Sequence, residues 1–325
     1  DNIQLSEVIT MVKNLDININ PKVLEYIDKG ISNSTKKAYN SDWEDFEKFC
    51  KLRKYQSLPA KYETIGEYLV YLSDDKKRKP TTIERRISAI LRKHRMNQHP
   101  LDTKHKYIRP TLEGIKVKKG TKTAKSKPIS IKILKEMIDS INVDDIRSIR
   151  DKSLILVGFV GAFRRSELVN LDYEDIEEFD TEGLIIYIKK SKTDQKSEGK
   201  KILIPYSENS KYCPVRKLQQ WIEISQIRSG PLFRKINKSN LIQDSRLSDK
   251  VVAMIVKEYL SNAGLDPKQY AGHSLRRGFA TSAALAGASL DEIKRTTRHQ
   301  SDKIVQEYLD DAALVRKNAA KKLDL

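Results

Sequence analysis

The stretch "IKVKKGTKTAKSKP", residues 115–128, constrains this chain more than any other. It holds six lysines (116, 118, 119, 122, 125 and 127), no acidic residue, one glycine and a closing proline. A segment of that composition has little to bury, and it repels itself unless it crosses a polyanion. It is expected to be a basic linker, with an N-terminal domain over 1–114 and a second domain over 129–325. The 325 residues are enough for two domains of ordinary size. Lys122, Lys125 and Lys127 are then candidates for contact with phosphates.

The N-terminal half reads as helices. "STKKAYNSDWEDFEKFCKLR" opens at a capping Ser34 and repeats Tyr39, Trp43, Phe46, Phe49 and Leu52 at helical spacing. "TIGEYLVYLSDD" and "TTIERRISAILRKHRM" follow the same pattern. The second of these sets an Ile83, Ile87, Ile90 and Leu91 stripe opposite Arg85, Arg86, Arg92, Lys93 and Arg95. Such a face suits a surface laid along phosphates. The whole chain agrees: 62 Lys+Arg against 44 Asp+Glu leave a net charge of +18, which calls for an acidic partner, most commonly nucleic acid. Two distant cysteines, Cys50 and Cys213, argue against a disulfide framework or a structural zinc and fit a reducing compartment. No apolar run approaches the ~20 residues of a membrane span, and no signal-peptide pattern appears, so a soluble intracellular protein is expected.

The second half is mixed. "SIKILKEMIDSI" and "SIRDKSLILVGFVGAF" read as helices. "GLIIYIKKSKTDQKSEGKKILIPY" reads as two strands around a polar loop, with Leu184, Ile186 and Ile188 alternating on one and Ile202 and Ile204 on the other. Pro214 suits a helix start in "CPVRKLQQWIEIS". A further helix closes at Gly264, and Ser289 with Glu292 forms a capping box. One or two helices complete the chain. The chemistry-bearing residues also fall here. Arg164 stands at the end of an apolar helix with Glu167 one turn on, and Lys192 lies in the hairpin loop. His273 and Arg276 are spaced to share a helix face, and His299 precedes Tyr308 by nine residues.

In this order, "GAFRRSELVNL", "SKTD", "HSLRR" and "TTRHQSDKIVQEYL" resemble the motifs of the tyrosine recombinases, the family of phage integrases, Xer recombinases and Cre. The segment "YCPVRKLQQWI" also resembles phage-type members. The likeness covers roughly residues 129–312 by motif, and the N-terminal half only in style. It implies a mainly α fold with a small β-sheet (α+β). A helical, SAM-like core-binding domain and a catalytic domain would form a C-shaped clamp on DNA, with the linker crossing the backbone. Helices near 36–54 and 81–95 would enter the major groove from one side and helix 247–262 from the other. Lys36, Lys37, Arg85, Arg86, Arg92 and Arg165 are then candidate DNA contacts.

The resemblance also implies roles in a metal-free, cofactor-free strand exchange. Tyr308 would attack the scissile phosphate and form a 3′-phosphotyrosyl link, while Arg164 and Arg276 would clamp the non-bridging oxygens. Lys192, with Lys190 as the alternative, would protonate the departing 5′-oxygen. His273 would accept the tyrosine proton, His299 would donate to a phosphoryl oxygen, and Glu167 would orient Arg164 or His273. The implied partner is double-stranded DNA carrying inverted-repeat sites, bound by a homotetramer that is monomeric or weakly associated off DNA. A terminal helix, about 312–325, would dock on a neighbouring protomer; an accessory protein remains open. The implied location is the DNA-associated cytoplasm, or the nucleus in a eukaryote. A type IB topoisomerase and a catalytically idle DNA-binding regulator are the rival readings.

Overall fold

The computed structural model describes residues 32–120, 126–142, 144–189 and 199–316, with four isolated positions at 22, 25, 26 and 30. Lys122, Lys125, Lys190, Lys192 and residues 317–325 lie outside the described residues. The chain divides into two compact units, up to residue 124 and from residue 125. Both are mostly helical, and the second also carries two small antiparallel sheets.

In the first unit, aromatic residues at helical spacing decide the packing. Helix α1 (Asn33–Arg53) turns Trp43, Phe46 and Phe49 inward against α2 (Tyr62–Asp74), which buries Ile65, Tyr68, Leu69 and Leu72, and against α3 (Pro80–Met96), which buries Ile83, Ile87 and Ile90. The cap of α1 is Ser32 rather than Ser34, because the Ser32 hydroxyl accepts the Thr35 N–H. Pro80 is the first residue of α3, where its missing N–H leaves no helical bond unmade.

A fourth helix, α4 (Arg109–Lys119), was not legible behind its lysines. Ile108, Leu112 and Ile115 recur along it and pack on this core, while Lys118 bonds to Asp74 and Lys119 to the carbonyls of Ser73 and Arg78. Residues 115–119 are thus helix of the first unit, not linker. Cations at a helix C-terminus also complement its dipole, which gives these lysines a local role.

Arg86 corrects a second expectation. Its side chain is only 11% exposed and pairs with Asp42 and Asp45, and it also donates to the Tyr68 hydroxyl. A guanidinium so engaged holds α3 to α1 and α2 and is not presented to a phosphate. Arg85 also pairs with Asp42 but remains half-exposed, and Lys37 is exposed on α1.

Buried His94 is another internal link. Its Nε2 accepts the Ala60 N–H at 2.8 Å, so Nδ1 carries the proton and donates to the Ile90 carbonyl at 2.8 Å. Burial pushes its pKa below the ordinary value of 6.5. The unfolded chain therefore takes up a proton that the folded unit refuses. The stabilisation is complete above about pH 6.5 and is lost as pH falls through the depressed folded value. Thermal unfolding from pH 7 to pH 5 should show this unit losing stability, and His94→Gln should flatten that slope.

The second unit is built around α6 (Ile146–Val160), whose residues Ser153–Phe159 are all buried. Around it pack α5 (Ile131–Asp139), α8 (Pro214–Ser225), α9 (Asp249–Asn262) and α10 (Ser274–Ala286). The fully buried Trp221 of α8 donates to the Leu232 carbonyl at 2.8 Å. Gly278 of α10 lets the backbone approach closely: a Cβ there would meet the Ile129 carbonyl oxygen at 1.9 Å. Strand β1 (Ile176–Phe179) pairs with β2 (Gly183–Ile188), and β2 with β3 (Lys200–Pro205). Leu184 faces Ile204 and Ile186 faces Ile202, so the alternating residues of the expected hairpin form its buried side. Strand β1 and a ribbon of β4 (Arg234–Ile236) and β5 (Ile242–Arg246) were not expected.

Two last helices, α11 (Leu290–Thr297) and α12 (Asp302–Arg316), lie beyond the main core. Ala280, Ala284, Ile293, Val305 and Ala312 form a small separate cluster that joins them to α10. Ala312 is thus buried on its own unit, and Arg316 donates to the Ala284 carbonyl at the end of α10. Of the segment expected to dock on a neighbouring protomer, only residues 312–316 are described, and there Leu314 and Val315 are exposed. Among the described residues, no helix is long and apolar enough to cross a membrane.

Candidate active site

The site grows from one turn. Helix α6 ends at Val160, and the chain reverses through Gly161, Ala162 and Phe163, with Ala162 in a left-handed conformation (φ 45°). Arg164 then caps the short helix α7 (Arg165–Val169). Glu167 reaches back so that its Oε2 accepts the Arg164 backbone N–H at 2.9 Å, while its Oε1 accepts from the Arg164 guanidinium. Arg-x-x-Glu at a helix start therefore closes on itself, fixing both residues before any other contact is made.

Arg276 comes to the same turn from α10. It is 4% exposed, and its Nη1 donates to the Ala162 carbonyl at 2.8 Å. Its Nη2 is buried without a hydrogen-bond partner, a costly state that an anion would relieve. Burial, then the neighbouring charges of Arg164 and Arg298, push the Arg276 pKa down to about 9. It therefore stays charged at neutral pH.

His273 is the N-cap of α10, exposed and one turn before Arg276, with no side-chain capping bond. The helix face expected to carry both residues does not include His273, which sits just outside the helix and is exposed while Arg276 is buried. Arg165 crosses Gly272, where a Cβ would stand 2.3 Å from its Nε, and donates to the Asp249 carbonyl at 3.3 Å. That contact ties α7 to α9.

Sequence reasoning missed Arg298. It ends α11 at φ 57°, a left-handed C-cap position that usually takes Gly or Asn. Its side chain, 2% exposed, turns back into the site. Nη1 donates to the Gly161 carbonyl at 3.0 Å, and Nη2 donates to the Ala162 carbonyl at 3.1 Å and to Glu167 Oε2 at 2.9 Å. The available signal was an arginine at a helix end beside His299. Glu167, 1% exposed, thus serves two guanidiniums. Burial alone would raise its pKa, but Arg298 and Arg164 outweigh that and hold the carboxyl below its ordinary range.

His299 follows directly. Its Nδ1 lies 2.8 Å from the Thr297 hydroxyl, which donates its own proton to the Ile293 carbonyl at 2.7 Å. Nδ1 must then be the donor, which leaves a lone pair on Nε2. Burial, and after it the charges of Arg276, Arg164 and Arg298, push the imidazole down to about 4. The Tyr308 ring on α12 lies 6.3 Å from the His299 ring, centre to centre. Tyr308 is half-buried against the small cluster under α12. Beside His299 opens a cavity of about 440 Å³ lined by Lys200, Lys201, Lys294, Arg295 and Arg298, with Asp291 as its carboxylate. The two strand lysines had no place in the expected site. Lys189 pairs with Asp175 and Asp172 instead. Among the described residues, no group of three His, Cys, Asp or Glu could hold a metal ion.

The arrangement suits an anion: converging, always-charged guanidiniums around a buried turn, with a phenol and the His299 imidazole at its edge. Comparison with known proteins gives this arrangement its family. Residues 129–314 match the model of the phage integrase family, and residues 24–96 match that of the phage integrase N-terminal SAM-like domain. An integrase/recombinase XerD homolog of Selenomonas ruminantium is 39% identical over 320 residues, covering 96% of this chain and 93% of that protein. Among solved structures, the Tn1549 transposon integrase in complex with transposon right end DNA is similar in fold. Its TM-score is 0.62 at 16% identity, over 89% of this chain and 95% of that one. XerH site-specific recombinase bound to its palindromic substrate gives 0.60 at 18% identity, over 81% and 72%. With the catalytic-domain match spanning more than half of its length, the chain belongs to the phage integrase family of tyrosine recombinases.

Proposed function

We propose that this recombinase cuts and rejoins duplex DNA through a covalent 3′-phosphotyrosyl intermediate. The observation that carries the reading is the buried, unpartnered Nη2 of Arg276, on the turn that also presents Arg164, with Tyr308 beside His299. A scissile phosphate there would accept hydrogen bonds from Arg276 and Arg164 and offset their mutual repulsion. Tyr308 Oη attacks phosphorus and the P–O5′ bond breaks. The tyrosine proton goes to His273, and Lys192 supplies a proton to the departing 5′-oxygen. A second 5′-hydroxyl then attacks the phosphotyrosine, so the phosphodiester is restored without outside energy. Sites in inverted repeat, held by a tetramer on two duplexes, fit this exchange, and integration, excision and resolution all use it. Lys37, Arg85, Arg92 and Lys127 are proposed phosphate contacts.

His299 needs one further condition. Neutral, and with Nδ1 on Thr297, it can receive a proton at Nε2 but has none there to give. Donation to a phosphoryl oxygen therefore requires that the bound phosphate first raise its proton affinity. The expected result is an imidazole that titrates near pH 4 in the free protein and distinctly higher with a DNA site bound, followed by NMR. An unchanged titration would remove His299 from the phosphate's surroundings.

The direct test is a denaturing gel of the protein with nicked duplex from its own genetic neighbourhood. A covalent band at the 3′ end in the wild type, absent from Tyr308→Phe, is the expected outcome. A band that persists in the variant would overturn the nucleophile.

A further inference from the structure

We propose that Arg298 is a positioning residue of the reaction centre. Its guanidinium grips the Gly161 and Ala162 carbonyls together with Glu167, and so fixes the turn that presents Arg164 and receives Arg276. The proposal rests on the recombinase reading of the site.

Three observations carry it. The first is backbone conformation: at φ 57° a residue with a side chain is disfavoured and glycine is at ease, yet the chain places an arginine there. The second is geometry. One planar fork spans two successive carbonyls and a carboxylate at 2.9–3.1 Å, a set of contacts that a lysine ammonium cannot reproduce. The third is connectivity. Arg298 joins the end of α11 to the end of α6, so the segment carrying His299 is pinned to the turn carrying Arg164. Without it, Glu167 would still bond to Arg164, but the Arg298 link from the end of α11 to the pair would be lost. Arg276, which shares the Ala162 carbonyl, would lose its registration with His299.

Arg298 also adds charge. It stands with Arg276 and Arg164 among the positive groups facing His299, and the wall of the adjoining cavity supplies Lys200, Lys201, Lys294 and Arg295, opposed by Asp291. Removing Arg298 therefore lowers the positive field on the imidazole as well as freeing the turn. A residue that only filled space would do neither.

Two variants of the full chain separate these effects. Arg298→Gly suits the backbone and deletes every side-chain contact, while Arg298→Lys keeps the charge and loses the fork. Adduct formation on nicked duplex should fall about 100-fold in both, the scale expected when a catalytic group shifts by about 1 Å. The His299 titration of the free protein should move up in Arg298→Gly and stay close to wild type in Arg298→Lys. Wild-type adduct rates in both variants would overturn the proposal, as would an unmoved His299 titration in the glycine variant. If Arg298→Gly did not fold, Arg298→Lys would decide by its adduct rate. If the wild type itself formed no adduct, the covalent reading would fall, and the His299 titration in the two variants would still decide whether Arg298 acts on the site.

Discussion

Tyr308→Phe is expected to bind duplex DNA within about twofold of the wild type and to form no covalent adduct, a loss on the order of 10⁴-fold or more. The substitution suits the test because of where the ring sits. Its body is half-buried against the small cluster of Ala280, Ala284, Ile293, Val305 and Ala312, and phenylalanine keeps that contact. Only Oη is removed. The guanidiniums of Arg164 and Arg276 remain on their turn, so the phosphate seat and the affinity it supplies are untouched. Binding lost in parallel with adduct formation would mean that Tyr308 anchors DNA rather than attacking it.

Glu167→Ala should have the largest effect on the fold. The carboxylate is 1% exposed and offsets two buried or nearly buried guanidiniums, with a third beside them. Deleting one partner of such a network leaves charge without compensation, at a cost of about 3–5 kcal/mol. Adduct formation should fail as well, because Arg164 loses both of its bonds to the carboxylate. The pH dependence has a definite sign. The folded pKa of Glu167 is held below its ordinary value of 4.5, so its stabilisation is complete above that pH and disappears as pH falls through the folded value. The variant should therefore lose less stability on acidification than the wild type. Inorganic phosphate should raise its melting temperature more than it raises the wild type's, since an anion can replace the missing charge. Thermal unfolding in phosphate and in chloride decides this, and equal responses would mean that no anion enters the seat.

Much of this was legible in the sequence because the candidate site residues come in short motifs with their own helix signals. Arg164 and Glu167 share a helix start, His273 and Arg276 lie one turn apart, and the strand alternation of 184–188 against 202–204 fixes one buried side. What escaped depends on contacts between segments far apart in the chain. The role of Arg86 is set by Asp42 and Asp45, more than forty residues earlier. Arg298 reaches carbonyls 136 and 137 positions away. A charged residue on a basic helix has the same local pattern whether it faces solvent or turns inward to a carboxylate. Helix α4 was obscured for the converse reason: its few apolar residues are outnumbered by lysines that the fold places at its C-terminal end. Short strands such as β4 and β5 carry no alternation long enough to detect.

Tyr308 packs on the small cluster, and the turn that carries Arg164 on the large one, with α10 and Arg298 joining the two. The small cluster buries far fewer apolar side chains than the large one, so separating α12 is expected to cost less than opening the domain. A hand can leave the tool without loosening the vice. On the proposed mechanism, α12 withdraws only an unreacted Tyr308 from a phosphate held by Arg164 and Arg276; once the phosphotyrosyl link forms, the helix is tied to that phosphate until the strand is rejoined.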